Sequence, residues 1–125
     1  FDHTLFATTD GAVWVSGDNR AGQLGDGTQT DRVVPVPCPL DLPVVAVAGG
    51  QVHSAFLTAD GTAWTCGDNS YGQLGDGTAT ARATPVPVLT GITAVAAGSF
   101  HTLFLADDGT VWAFGVNDYG AGTRG

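Results

Sequence analysis

Three histidines and three tryptophans recur at one spacing, and this internal repeat constrains the fold more than any other feature of the chain. His3, His53 and His101 lie 50 and 48 residues apart, and Trp14, Trp64 and Trp112 keep the same two intervals. Each Trp follows its His by eleven residues. His3–Cys38 and His53–Val88 are identical at 21 of 36 positions. The two-residue difference in period falls in Cys38–Pro43, which reads as a loop insertion. Repeats of this length mark arrays in which each unit buries its apolar face against the next.

Each repeat reads as strands. Asp10-Gly11, Asp60-Gly61 and Asp108-Gly109 each separate two short apolar, β-prone runs, a strong hairpin signal because Gly accepts positive φ and Asp tolerates it. Val44–Gly50 and Ile92–Gly98 read as strands of small side chains. Val34–Cys38 and Thr84–Val88 carry prolines two apart, which confines them to sheet edges with the missing N–H groups facing outward. The order is therefore a small-residue strand, a hairpin and a proline-marked edge, four strands in about 50 residues. Small residues suit a crowded centre and prolines a rim, as in the blade of a β-propeller. No segment shows helical periodicity. The repeats are expected at about 1–43, 44–91 and 92–125, the first and last incomplete.

Two further segments, "GGQVHSAFLTADGTAWTCGDNSYGQLGDGT" and "AAGSFHTLFLADDGTVWAFGVNDYG", give the chain a family resemblance. Each has a hairpin ending in Trp-x-x-Gly-x-Asn; the first continues into Gly-Gln-Leu-Gly. The chain resembles the regulator of chromosome condensation repeat family throughout. The resemblance implies a β-propeller, usually of seven blades, of which about two and a half are present. The third repeat departs from it, with Ala121-Gly122-Thr123 where the second has Gln73-Leu74-Gly75. The chain, which starts at Phe1, is expected to be part of a longer propeller, or to need further chains that complete its cut blades. Members implied by the resemblance include exchange factors for small GTPases, chromatin binders, ubiquitin-ligase modules and secreted inhibitors of β-lactamases. They share a fold and not a site.

The repeated loop, Gly17–Thr28 and Gly67–Thr78, reads as structural. Gly22, Gly25, Gly72 and Gly75 permit left-handed backbone and close packing. Leu24 and Leu74, its large apolar residues, are expected to plug the grooves between blades. Asn19, Asn69, Asp26 and Asp76 are expected to bond nearby backbone. Gln23 stands where a phosphate loop needs Lys, and the spacing fails the EF-hand pattern. Irregular calcium coordination by the Asp residues stays open as an alternative.

Three equivalent histidines are expected to be structural, each bonding a neighbouring turn, rather than a metal site. The tryptophans are expected to pack in the core. No cofactor is expected, and no catalytic constellation is found. Cys38 and Cys66 form a bridge or remain two buried thiols. All twelve acidic residues are Asp, all four basic ones Arg, and the net charge is −8. That balance works against nucleic acid, whose phosphates attract Lys and Arg, and equally against anionic membrane surfaces.

The function expected is a non-enzymatic scaffold for protein–protein interaction. The alternative is a secreted or surface carbohydrate binder using Tyr71 and Tyr119. An enzyme or enzyme regulator, such as a secreted inhibitor, is third. A composition rich in Gly, Ala, Asp and Thr and free of Lys suits a secreted bacterial protein.

Overall fold

The computed structural model describes residues 2–40 and 43–115. Tyr119 and the variant Ala121-Gly122-Thr123 segment lie outside the described residues. Ten strands and no helix are present among the described residues: β1 (His3–Ala7), β2 (Val13–Gly17), β3 (Arg32–Pro37), β4 (Val44–Gly49), β5 (His53–Thr58), β6 (Ala63–Gly67), β7 (Arg82–Leu89), β8 (Ile92–Ala97), β9 (His101–Ala106) and β10 (Val111–Gly115). They form three antiparallel sheets ordered β1-β2-β3, β4-β5-β6-β7 and β10-β9-β8.

The hairpins turn where Asp-Gly predicts them. The Asp10, Asp60 and Asp108 carboxylates accept from the N–H groups of Ala12, Thr62 and Thr110 at 3.2, 3.1 and 2.9 Å. Their partner Gly11, Gly61 and Gly109 sit at φ of 87°, 84° and 88°. The hairpin register is the same in all three sheets, pairing Phe6 with Trp14, Phe56 with Trp64 and Phe104 with Trp112. Pro85 and Pro87 lie in β7, the outer edge of its sheet, where no further ladder needs their missing donors. The small-residue strand β4 opens the same sheet and touches both β1 and β8.

Apolar residues are buried between sheets. One core joins Val13, Val15, Leu24 and Cys38 of the first sheet unit to Val44, Phe56 and Cys66 of the second. The other joins Ala55, Leu57 and Ala63 to Ile92, Phe104 and Phe114 of the third. Main-chain bonds run alongside, from Val44 N–H to Gly11 O and from Ile92 N–H to Gly61 O, both at 2.9 Å. Each sheet thus packs on the one before it, as blades of a partial propeller.

Two of the three tryptophans pack against the cores, and the first stands apart. Trp64 and Trp112 are half-buried against the cores, and Trp14 is 40% exposed. The preceding sheet covers Phe56 and Trp64, whereas β1-β2-β3 is the first sheet among the described residues. Cys38 and Cys66 are buried free thiols, and burial pushes the Cys38 thiol up to about 12.

Candidate interaction site

Strands β2 and β6 end at Gly17 and Gly67, opposite His3 and His53, so the repeated loops leave from one end of the sheets. The Asp-Gly hairpins lie at the other end. Inside each loop a buried Asn organises the backbone. Asn19 Oδ1 accepts from Leu24 N–H at 3.0 Å, while its Nδ2 reaches Asp26 Oδ1, Thr28 O and Thr30 O, each at 3.0 Å. Asn69 repeats the pattern with Leu74, Asp76, Thr78 and Thr80. Arg32 and Arg82 close the two loops through Nε on Asp26 and Asp76, each at 2.9 Å. Burial works to raise the pKa of Asp26 and Asp76, but bonds from Thr, Arg and Asn outweigh it and hold both below the usual carboxylate value. With these groups committed to the loop itself, their carboxylates serve structure first.

The loops also grip the next blade. Ser54 Oγ donates to Gln23 O, and Thr102 Oγ1 donates to Gln73 O at 2.7 Å. Leu24 and Leu74 are fully buried. Gly22 and Gly25 take φ of 82° and 72°, and a methyl group on Gly22 would fall 2.6 Å from Cα of Ala83 in β7. Gly72 and Gly75 take nearly the same angles, 72° and 73°.

His3 and His53 continue this grip, and their acceptor is not a neighbouring turn. His3 Nε2 lies 2.9 Å from Ser54 Oγ and 3.2 Å from His53 O, and His53 Nε2 lies 3.2 Å from His101 O. Each ring therefore reaches the strand of the following blade. The His53 ring rests on Gly50, where a methyl group would fall 2.1 Å from Cε1; Gly98 gives the His101 ring the same room. Burial drives the pKa of His53 down to about 4 and lowers that of His3. Among the described residues no cluster of three His, Cys or Asp side chains is placed to hold a metal.

What varies between the loops lies outward. Arg20 and Ser70 occupy equivalent exposed positions, as do Gln29 and Ala79. Arg20 pairs with Asp18 at 2.8 Å and holds that carboxyl well below its usual range, whereas Ser70 bonds Asp68 at 2.8 Å. Ala21 is replaced by Tyr71, which is 57% exposed and meets the edge of Phe100 with centroids 5.5 Å apart. Tyr71 also rims a cleft of about 340 Å³ whose wall includes Gly75, Gly77 and Phe114.

Sequence reasoning singled out the buried Leu and the loop glycines but missed Ser54, Thr102, Gly50 and Gly98. A signal existed for all four. A hydroxyl follows His in every repeat (Thr4, Ser54, Thr102), and a glycine precedes the second and third His by three residues. Phe100 carried no such signal, because the counterpart before His53 is Val52.

Family models described as "Regulator of chromosome condensation (RCC1) repeat" match residues 10–57 and 60–105, and a second such model matches 44–73 and 92–121. The Protein RCC2 homolog of Danio rerio is 43% identical over 56 residues, covering 42% of this chain and 11% of that protein. Human WBSCR16 is similar in structure, with a TM-score of 0.81 and 29% identity over 94% of this chain and 32% of its own. Yeast RCC1 (Prp20), solved with Kap60 bound, gives 0.79 and 25% over 96% of this chain and 31% of its own. Prp20p of Saccharomyces cerevisiae, studied for its binding to Gsp1p and histones, gives 0.77 and 25%, over 96% and 32%. The chain spans about a third of these solved relatives and a smaller share of the RCC2 homologue. The repeat matches cover most of the chain, and the same repeat lays down its sheets, seams and loops, so this chain belongs to the regulator of chromosome condensation (RCC1) repeat family.

Proposed function

We infer that this chain is part of a non-enzymatic propeller that recruits protein partners through its loop end. One observation carries the reading. Of the loop residues that match between repeats, Asn19/Asn69, Gln23/Gln73 and Leu24/Leu74 are fully buried, while Arg20/Ser70 and Ala21/Tyr71 differ and face outward to varying degrees. A scaffold needs this division: a fixed frame and a surface free to differ. Tyr and Arg are also the residue types that dominate binding energy at protein interfaces. The RCC1-type neighbours support a protein partner, since yeast RCC1 (Prp20) is bound by Kap60 and Prp20p was studied for its binding to Gsp1p and histones. The net charge of −8 favours a partner with a basic surface.

The test is direct titration of the chain against Kap60, Gsp1p and core histones, beside a glycan array. Saturable binding to one of the proteins, weakened in the Arg20→Ala and Tyr71→Ala variants with an unchanged melt, supports the scaffold. A second reading, a carbohydrate binder, rests on Tyr71 standing beside Phe100 over the cleft. Sugar binding lost in Tyr71→Ala, with none of the proteins bound, would replace the first reading by the second.

A further inference from the structure

We propose that Arg20 is an exchangeable guanidinium that receives a carboxylate from a docking partner, while its own Asp18 passes to Gln23. This rests on the reading of the loop end as a docking surface, and it names the chemistry of one group on the partner.

One buried amide is bonded differently in two loops that differ only at Arg20/Ser70 and Ala21/Tyr71. Gln23 and Gln73 are both fully buried, and their Oε1 atoms accept from the N–H groups of Ala21 and Tyr71, each at 2.9 Å. The other half of the amide differs. Gln73 Nε2 donates to Asp68 Oδ2 at 3.2 Å. Gln23 Nε2 is buried with no hydrogen-bond partner among the described residues, although Asp18 stands where the second loop has Asp68. The difference traces to Arg20. It donates to Asp18 through Nε at 2.9 Å and Nη2 at 2.8 Å, which occupies both carboxylate oxygens. Ser70 donates a single side-chain bond, from Oγ to Asp68 Oδ2 at 2.8 Å, and that oxygen still accepts from Gln73.

A buried amide N–H without a partner costs stability, so the first loop holds a bond in reserve. The Arg20 side chain is 73% exposed and that of Asp18 only 4%, whereas Asp68, beside Ser70, is half-buried. Arg20 thus covers Asp18 and presents itself to solvent. Its two bonds to Asp18 use Nε and Nη2, which leaves the Nη1 donors for an incoming group. When an outside carboxylate takes the guanidinium, Asp18 is not stranded. The Arg20 main-chain N–H stays on Oδ1 at 3.1 Å, and Gln23 Nε2 supplies the bond that Gln73 gives to Asp68. Arg20 exchanges one planar carboxylate for another, and the buried amide gains the partner it lacked. The net charge of −8 opposes a polyanion. The group that fits is a single Asp or Glu side chain on an otherwise neutral or basic surface.

Three short peptides with blocked ends are the probes: Gly-Lys-Glu-Lys-Gly, its Gln counterpart and its phosphoserine counterpart. Titrated into the ¹⁵N-labelled chain, the Glu peptide is expected to bind about three- to fivefold more tightly than the Gln peptide. It should move the Arg20 Nε–H and Gln23 side-chain amide resonances along one saturation curve. In Arg20→Ser, which copies the second loop, the Gln23 amide should stand near its saturated position before any peptide is added, and the preference for Glu should vanish. Saturation by the Glu peptide with the Gln23 amide unmoved would overturn the exchange. Equal binding of the Glu and Gln peptides would do the same. Tighter binding of the phosphoserine peptide would overturn the assignment to a carboxylate. Whether the loop end binds a protein at all is decided separately, by the titrations against Kap60, Gsp1p and histones.

Discussion

A side-chain amide at the centre of each loop does work that a run of glycines cannot do for itself. Asn69 holds Leu74 N–H on one side and three acceptors of the returning chain on the other. Asn69→Ala leaves these buried groups without partners, so a loss of about 1–3 kcal/mol is expected in urea unfolding. Ser70→Ala, at the exposed neighbour, should stay within about 0.5 kcal/mol. His53 gives a second residue-scale outcome. Its unfolded pKa is the ordinary 6.5 and its folded pKa is lowered to about 4, by burial foremost. The unfolded chain then binds the extra proton first. The contribution of neutral His53 is complete above pH 6.5 and is lost as pH falls through 6.5 towards 4. Urea midpoints should fall across that window, and the His53 ring protons should not titrate by NMR until the pH approaches 4.

At the scale of elements, strands and turns were legible because their chemistry is local. Asp-Gly fixes the hairpin, paired prolines mark β7 as an edge, and the small side chains of β4 mark its place in the sheet. The proline-marked strands emerged longer than the proline pairs themselves, since Arg32 and Arg82 extend pairing back to the loops. The site was less legible. The histidine acceptors, the Ser54 and Thr102 bonds and the Tyr71–Phe100 contact all join residues of different blades. Periodicity says that blades stack, and it does not say which atoms meet. Leu74 shows the reverse case, a loop residue whose isolation among glycines already marked it for burial. Leu74→Ala should cost about 2–5 kcal/mol, read from the denaturation midpoint.

For the whole molecule, the first sheet faces outward with groups that the second sheet hides. Phe6 is 47% exposed and Trp14 40%, whereas Phe56, in the equivalent place, is fully buried against the preceding blade. An apolar face of this kind favours association. Sedimentation of the 125-residue chain should show self-association that rises with concentration, and Phe6→Ser combined with Trp14→Ser should reduce it. A monodisperse monomer with a cooperative melt would show that the face is satisfied without a neighbour.

The histidine grip has one more consequence. It runs in one direction, from His3 to the main chain of His53 and from His53 to that of His101, and every link uses the same donor and the same acceptor. Duplicating one repeat in frame would therefore insert a blade that already offers the correct ring to the next unit and the correct carbonyl to the last. A gene carrying this module can change its number of blades by unequal crossing-over without inventing new seam chemistry, leaving ring closure as the constraint on which lengths survive.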